Sequence, residues 1–424
     1  MLFTAGPPRM TVRTALVSPF GSPVQSSRMC NRIKVAPHFR NETQGPYNPA
    51  AIYHPSTGVW HAVMTLDEVW FGLSNYTLFG TYLEGRLRSH PLLLQLGDDG
   101  LPFSGSGAEA RMLDLDISFQ ELAEVEGAQM YKAADWRPFV WEDDLYMGHW
   151  IAYMPGEERM AISRLDLQTG TVKLLHRFTN LSRDIEESLL PDHMTAQKSS
   201  IRRLLSFLDI RHTSHNGVRQ PFRREKNWGF WEENGKLLVL YGILPCTVVL
   251  EFDPEHPSEP TIRSRTCYAQ ETPSILQVAG LDILLASVHL SGNPVPWDVH
   301  HGALHREMFV MLHTKHPEYV NWAVRMDRDT HVITHISAGP LLRNQDYRNE
   351  GFMKTALVVS SFHVLSRGDK GNPSAALVRI FYGEGDRYGC WLDINADTIV
   401  WHRVSSVQSS RRITLRSAPL RFLL

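Results

Sequence analysis

Three observations predict an all-β chain folded as a five-bladed β-propeller with one inserted helix. Short runs rich in Val, Ile, Leu, Tyr, Phe and Trp recur along the body, turn pairs break them at close spacing, and the layout repeats about five times. Repeating a three- or four-stranded sheet buries the faces of an all-β chain and leaves only short edges. A pair of β-sandwiches is the competing reading. So many strands favour the propeller.

The first unit, 50–72, holds AAIYHPSTGVWHAVMTL, two strand-like runs around a Ser-Thr-Gly turn. The second, 136–167, holds RPFVWEDDLYMGHWIAYM and then MAISRLDLQTGTVKLLHRF around a Thr-Gly turn. In the third, 228–252, Asn234-Gly235 is a strong hairpin signal within GFWEENGKLLVLYGILPCTVVLEF. The fourth, 274–342, opens with ILQVAGLDILLASVHL and continues through EMFVMLHT, YVNWAVRMD and HVITHISAGPL. The fifth, 355–394, contains ALVVSSFHVLS, ALVRIFYGEGD and YGCWLDI. One segment departs from this pattern: in SSIRRLLSFLDI, Ile201, Leu204, Leu205 and Leu208 follow helical spacing. It predicts a helix within an insertion over 183–220. Residues 46–397 therefore form the propeller, 1–45 an N-terminal extension and 398–424 a basic C-terminal tail.

Composition narrows the partners. With 43% hydrophobic residues the 424-residue chain can bury a sizeable core. A net charge of -2 offers no broad cationic face, so no nucleic-acid partner is expected. No apolar run reaches the length of a membrane-spanning helix. Before Glu42 there are six basic residues among Ser and Pro and no acidic ones, as in an organellar transit peptide or a poorly ordered extension. The sequons at Asn41, Asn75 and Asn180 point instead to a secretory route, so the compartment stays open. Four widely spaced cysteines without a CxxC pair read as neither a disulfide framework nor a zinc motif. His301 and His305 in WDVHHGALHREM lack a third ligand and read as ordinary histidines; no metal is expected.

No GxSxG, P-loop or dinucleotide fingerprint is present. Three clusters remain, each at the expected start of an inner strand. They are YKAADWRPF with Asp135, Trp136 and Arg137; RREKNW with Glu225, Lys226 and Trp228; and FYGEGDR with Tyr382 and Asp386. Inner strands that radiate from one axis would bring them to one pocket. Asp135, Glu225 and Asp386 would serve as acid, base or hydroxyl acceptors, Arg137 and Lys226 as anion or hydroxyl donors, and the aromatic rings as stacking faces. Carboxylates beside rings suit a sugar. Salt bridges on a propeller rim would leave the same residues.

EKNWGFWEENGKLLVLYGILPCTVVLEFD resembles a segment of the five-bladed propellers related to mannoside phosphorylases and mannosyltransferases. ADWRPFVWEDDLYMGHW is similar to that group's E-D-P-R segment, YGEGDRYGCWLDI to its Y-G-x-x-D segment, and GPYNPAAIYH, with Asn48, to its N-P segment. The resemblance touches four places over 47–394. It implies that Asp135 is a general acid and that Arg137 and Lys226 contact phosphate or sugar. It also implies an oligosaccharide or sugar phosphate as partner, with inorganic phosphate as co-substrate and no other cofactor. Ala134 and Trp136 replace the Glu and Pro of E-D-P-R, MTLDEVW lacks an arginine of the first blade, and the fourth blade's Gly-rich turn is not recognisable over 289–305. Phosphorolysis, glycosyl transfer, hydrolysis and glycan binding without turnover all remain open.

Overall fold

The computed structural model describes residues 16–17, 23–24, 31–33, 47–69, 87–98, 100, 110–119, 121, 130–154, 158–178, 227–244, 246–253, 260–268, 288–297, 306–314, 320–343, 357–366, 376–384 and 388–404. Five antiparallel sheets form the blades of a propeller, as predicted. From inner to outer strand, blade I is Tyr47–His54, Val59–Val69, Leu87–Gln95 and Ala110–Met112. Blade II is Met130–Trp141, Asp144–Met154, Glu158–Asp166 and Thr171–Arg177, with Asp114–Leu115 added in parallel outside. Blade III is Gly229–Glu233, Lys236–Gly242, Cys246–Phe252 and Thr261–Cys267. Blade IV is Val288–Pro296, Glu307–Thr314, Val320–Asp327 and Ile333–Ser337. Blade V is Leu357–Ser366, Ala376–Glu384 and Tyr388–Asn395.

Tight turns set the registers. Glu142 (φ 49°) and Asp143 (φ 63°) in blade II, and Asn234 (φ 53°) and Gly235 (φ 76°) in blade III, carry the paired positive φ of two-residue hairpins. Middle strands are sandwiched between blades and read as continuous apolar runs: Glu307–Thr314 is buried at seven of eight positions. Outer strands alternate, as in Thr171–Arg177. The core is accordingly divided into five clusters, one per blade interface. Phe139, Tyr146 and Phe230 stack between blades II and III, for example, and Phe309 meets Phe362 between IV and V. The inner strand of each blade touches that of the next, and Leu357–Ser366 returns to Tyr47–His54 to close the ring.

The domain limits move outward at both ends. Asn31–Arg32, expected in the extension, pairs with Tyr388–Asn395 as the fourth strand of blade V, and Ile33 is buried between blades V and I. Trp401–Arg403, expected in the tail, pairs with Ile333–Ser337 in blade IV. There the Arg325 guanidinium lies 5.5 Å from the ring centres of both Trp297 and Trp401. Each segment is too short to show a strand period, and its partner is remote in sequence. The predicted helix over 199–210 and the insertion over 183–220 lie outside the described residues.

Cysteine spacing was also misleading. Cys246 and Cys390 are both disulfide-bonded, against the expectation of no disulfide framework. Spacing along the chain says little about distance between paired strands.

Candidate active site at the propeller axis

Four of the five inner strands break register. The irregularity falls at Asn48-Pro49 in blade I and at Asp135-Trp136 in blade II. It recurs at Gly292-Asn293-Pro294 in blade IV and at Ser360 in blade V. In blade III, Asn227 stands just before the inner strand. Asn48 (φ 51°), Asp135 (φ 56°), Asn227 (φ 70°) and Gly292 (φ 67°) all adopt left-handed backbone. For Asp and Asn this conformation is uncommon and costs energy. Its recurrence at one level of successive inner strands turns polar side chains sideways, toward the neighbouring blade.

Asp135 is the centre of this arrangement. Asn48 of blade I donates from Nδ2 to Asp135 Oδ1 at 3.0 Å. Trp150, on the neighbouring strand of blade II, donates from Nε1 to Oδ2 at 2.7 Å. Each carboxylate oxygen thus accepts from an N–H donor that fixes its direction. Asn48 is only 4% exposed, and its Oδ1 lies against Gly383 of blade V, where a Cβ would come within 1.9 Å of it. Blades V, I and II therefore position one half-buried carboxylate.

Arg137 performs a different task. Its Nη1 donates to the carbonyl oxygens of Trp228 and, at 3.4 Å, of Gly292. Its Nη2 donates to Asn227 Oδ1 at 3.2 Å and to the Leu290 carbonyl at 3.1 Å. The terminal N–H groups of the guanidinium are spent on blades III and IV, and the residue is 5% exposed. Asn293 completes the seam: Nδ2 donates to the Pro138 carbonyl at 2.8 Å, and Oδ1 accepts from Phe230 N at 3.0 Å. The expectation that Arg137 grips an anion is corrected by these contacts, because a guanidinium engaged in this way has no free fork for phosphate. On the other side, Ser361 Oγ accepts from Ala51 N at 2.7 Å, linking blade V to blade I.

The expected stacking rings are also corrected. Trp136, Trp228 and Tyr382 are 0%, 2% and 1% exposed, so none offers a face to a ligand. Trp136 lies 4.2 Å from the His149 ring, and Trp228 packs on Phe178. Burial, with the nearby Glu384 carboxylate, pushes the Tyr382 phenol well above its usual range. Trp150, absent from the sequence reading, is the half-buried ring beside Asp135. Counting back from the Glu142-Asp143 turn would have found it, since Trp150 pairs with Ala134 just past the bulge. In the fourth blade, Gly292, Asn293 and Pro294 form a bulge in the inner strand. Glu225, Lys226 and Asp386 lie outside the described residues, as do His301 and His305. Among the described residues no group of His, Cys, Asp and Glu could hold a metal ion.

No family model matches the chain, and no curated protein matches it in sequence. Solved structures do align along most of its length. One is described as belonging to the GH130 family of mannoside phosphorylases, which contains glycoside hydrolases that target β-1,2 mannosidic linkages in Candida mannan. It is 10% identical, with 93% of this chain and 97% of that chain covered and a TM-score of 0.48. A glycosyl hydrolase from Bacteroides ovatus is 11% identical over 89% of this chain and 92% of its own, with a TM-score of 0.47. A thermostable family-43 glycoside hydrolase is 10% identical over 91% and 98%, with a TM-score of 0.40.

Proposed function

We propose that this chain is a carbohydrate-active enzyme that takes a mannoside-like glycan at the propeller axis, with Asp135 transferring a proton at the glycosidic oxygen. The observation that carries this reading is the strained, half-buried carboxylate of Asp135, aimed by Asn48 from one blade and by Trp150 from another strand. Strain of this kind persists only where surrounding structure over-determines it, and it gathers at functional sites. A rim salt bridge needs neither the left-handed backbone nor two N–H donors. The similarity of 134–150 to the E-D-P-R segment supports the same residue for the same role.

Hydrolysis gains ground over phosphorolysis from the contacts of Arg137, whose N–H groups are held by Asn227 and three carbonyl oxygens. For a phosphate-dependent reaction Lys226 is the candidate cation. A water-dependent one would need a second carboxylate, for which Asp386 and Glu225 are the candidates. The test is turnover of a panel of mannosides, with and without phosphate, by the wild type, Asp135→Asn and Lys226→Met. Asp135→Asn is expected to lose about 10²–10⁴-fold in rate. Turnover without phosphate selects hydrolysis, and strict phosphate dependence that fails in Lys226→Met selects phosphorolysis. Full activity in Asp135→Asn overturns the assignment, and glycan binding without turnover by the wild type replaces it with a lectin-like role.

A further inference from the structure

We infer, on the reading of Asp135 as the proton-transferring group, that Ser361 and His363 of blade V are positioning residues for the axial reaction. They grip both polar backbone groups of Ala51 and so hold the bulge that aims Asn48 at Asp135.

The bulge cannot hold itself. Tyr47 pairs with Thr65 and Ala50 with Val63, so Asn48 and Pro49 together face the single residue Met64. A residue inserted in this way is left out of the ladder, and Pro49 has no N–H to donate. The left-handed backbone of Asn48 (φ 51°) costs energy as well, and it persists only where neighbours over-determine it.

Blade V supplies that restraint. Ala51 lies three residues beyond Asn48 and stands opposite Ala62. Its N–H donates to Ser361 Oγ at 2.7 Å, and its carbonyl oxygen accepts from His363 Nε2 at 2.9 Å. Both groups turn away from Val59–Val69 and toward Leu357–Ser366, as those of alternate residues in an antiparallel strand do. The His363 ring is itself fixed, T-shaped against Trp60 with centroids 4.8 Å apart. Pro49 rests on Gly389 of the same blade, where a Cβ would come within 3.3 Å of its ring.

Ser361 is located by a further bulge. Register in blade V breaks at Ser360, and Gly292 of blade IV packs there: a Cβ on it would lie 3.1 Å from Ser360 O and Ser361 Cα. Gly292 in turn offers its carbonyl to Arg137, two residues beyond Asp135. The restraints thus close a circuit at the level of the bulges. It runs from Asp135 through Arg137, Gly292, Ser361 and Ala51 to Asn48, which returns to Asp135. Ser361 and His363 make a hydrogen-bonded step of it, from blade V to blade I.

The experiment compares the full-length wild type with the pair Ser361→Ala, His363→Leu and with His363→Gln, which keeps an N–H donor at the Nε2 position. Asn48→Ala is made alone and on top of the pair, and Ser361→Ala alone serves where the pair fails to fold. Crystal structures come first, because they need no turnover. The 3.0 Å bond from Asn48 to Asp135 should be broken in the pair and kept in His363→Gln. A bond that survives the loss of both side chains overturns the positioning role. On a mannoside that the wild type turns over, the pair should lose about 10²-fold in kcat with KM little changed. It should add nothing to the loss caused by Asn48→Ala, since residues acting through one group are not additive. Full additivity, or a lower melting temperature with kcat unchanged, also overturns it. A wild type without turnover overturns instead the reading of Asp135, while the Asn48–Asp135 distance still decides whether Ser361 and His363 hold Asn48.

Discussion

The residues of this site act through direction more than through identity. Asn48 is useful because a left-handed bulge turns it toward Asp135, and Gly383 lets it do so. A Cβ at Gly383 would come within 1.9 Å of Asn48 Oδ1. Gly383→Ala is therefore expected to push Asn48 off Asp135 and to lower kcat by about 10²-fold, the usual cost of a misplacement near 1 Å. Circular dichroism and the melting curve should stay near wild type, which separates this effect from unfolding. His149 gives a second expectation at this scale. It is fully buried, its Nε2 lies 2.8 Å from Ser163 Oγ, and burial lowers its pKa from 6.5 to about 3. The unfolded chain binds the proton first, so the contribution of His149 is complete above pH 6.5 and is lost as pH falls toward 3. The loss is about 1.4 kcal/mol for each pH unit in that window. Denaturant melts of wild type and His149→Gln across the window check it: the variant should show the shallower slope.

Among the elements, the inner strands do two jobs that sequence reading merges into one. Their apolar residues build the blade interfaces, and their bulges link blades through hydrogen bonds. The first job was legible because β-branched and aromatic runs with turn signals mark it. Asp135 was placed on an inner strand for the same reason. The second job was not legible. A guanidinium next to a carboxylate looks the same in sequence whether it meets phosphate or backbone carbonyls, and Trp136 looks the same whether its ring faces a sugar or His149. Only the register beyond the bulge separates Trp136, which points into the core, from Trp150, which meets Asp135. Arg137 now carries a stability expectation in place of an anion-binding one. Arg137→Met leaves the carbonyls of Trp228 and Leu290 without their donor, and each buried group so orphaned costs about 1–3 kcal/mol. The midpoint of urea unfolding should drop accordingly, whereas Lys226→Met should leave it unchanged.

At the scale of the whole molecule two short segments, one early in the chain and one late, complete neighbouring blades. Asn31–Arg32 completes blade V and Trp401–Arg403 extends blade IV. Blade count could be read from the repeats, but this closure could not, because two- and three-residue strands have no period. The early segment also has a consequence in time. The strand Asn31–Arg32 leaves the ribosome about 360 residues before its partner Trp391 does. At about 5–20 residues per second it waits some 20–70 s with its backbone unpaired. By the end of that interval the growing chain holds four blades' worth of sheet beside an open edge. Until the last strand arrives, that edge is open to pairing with another chain.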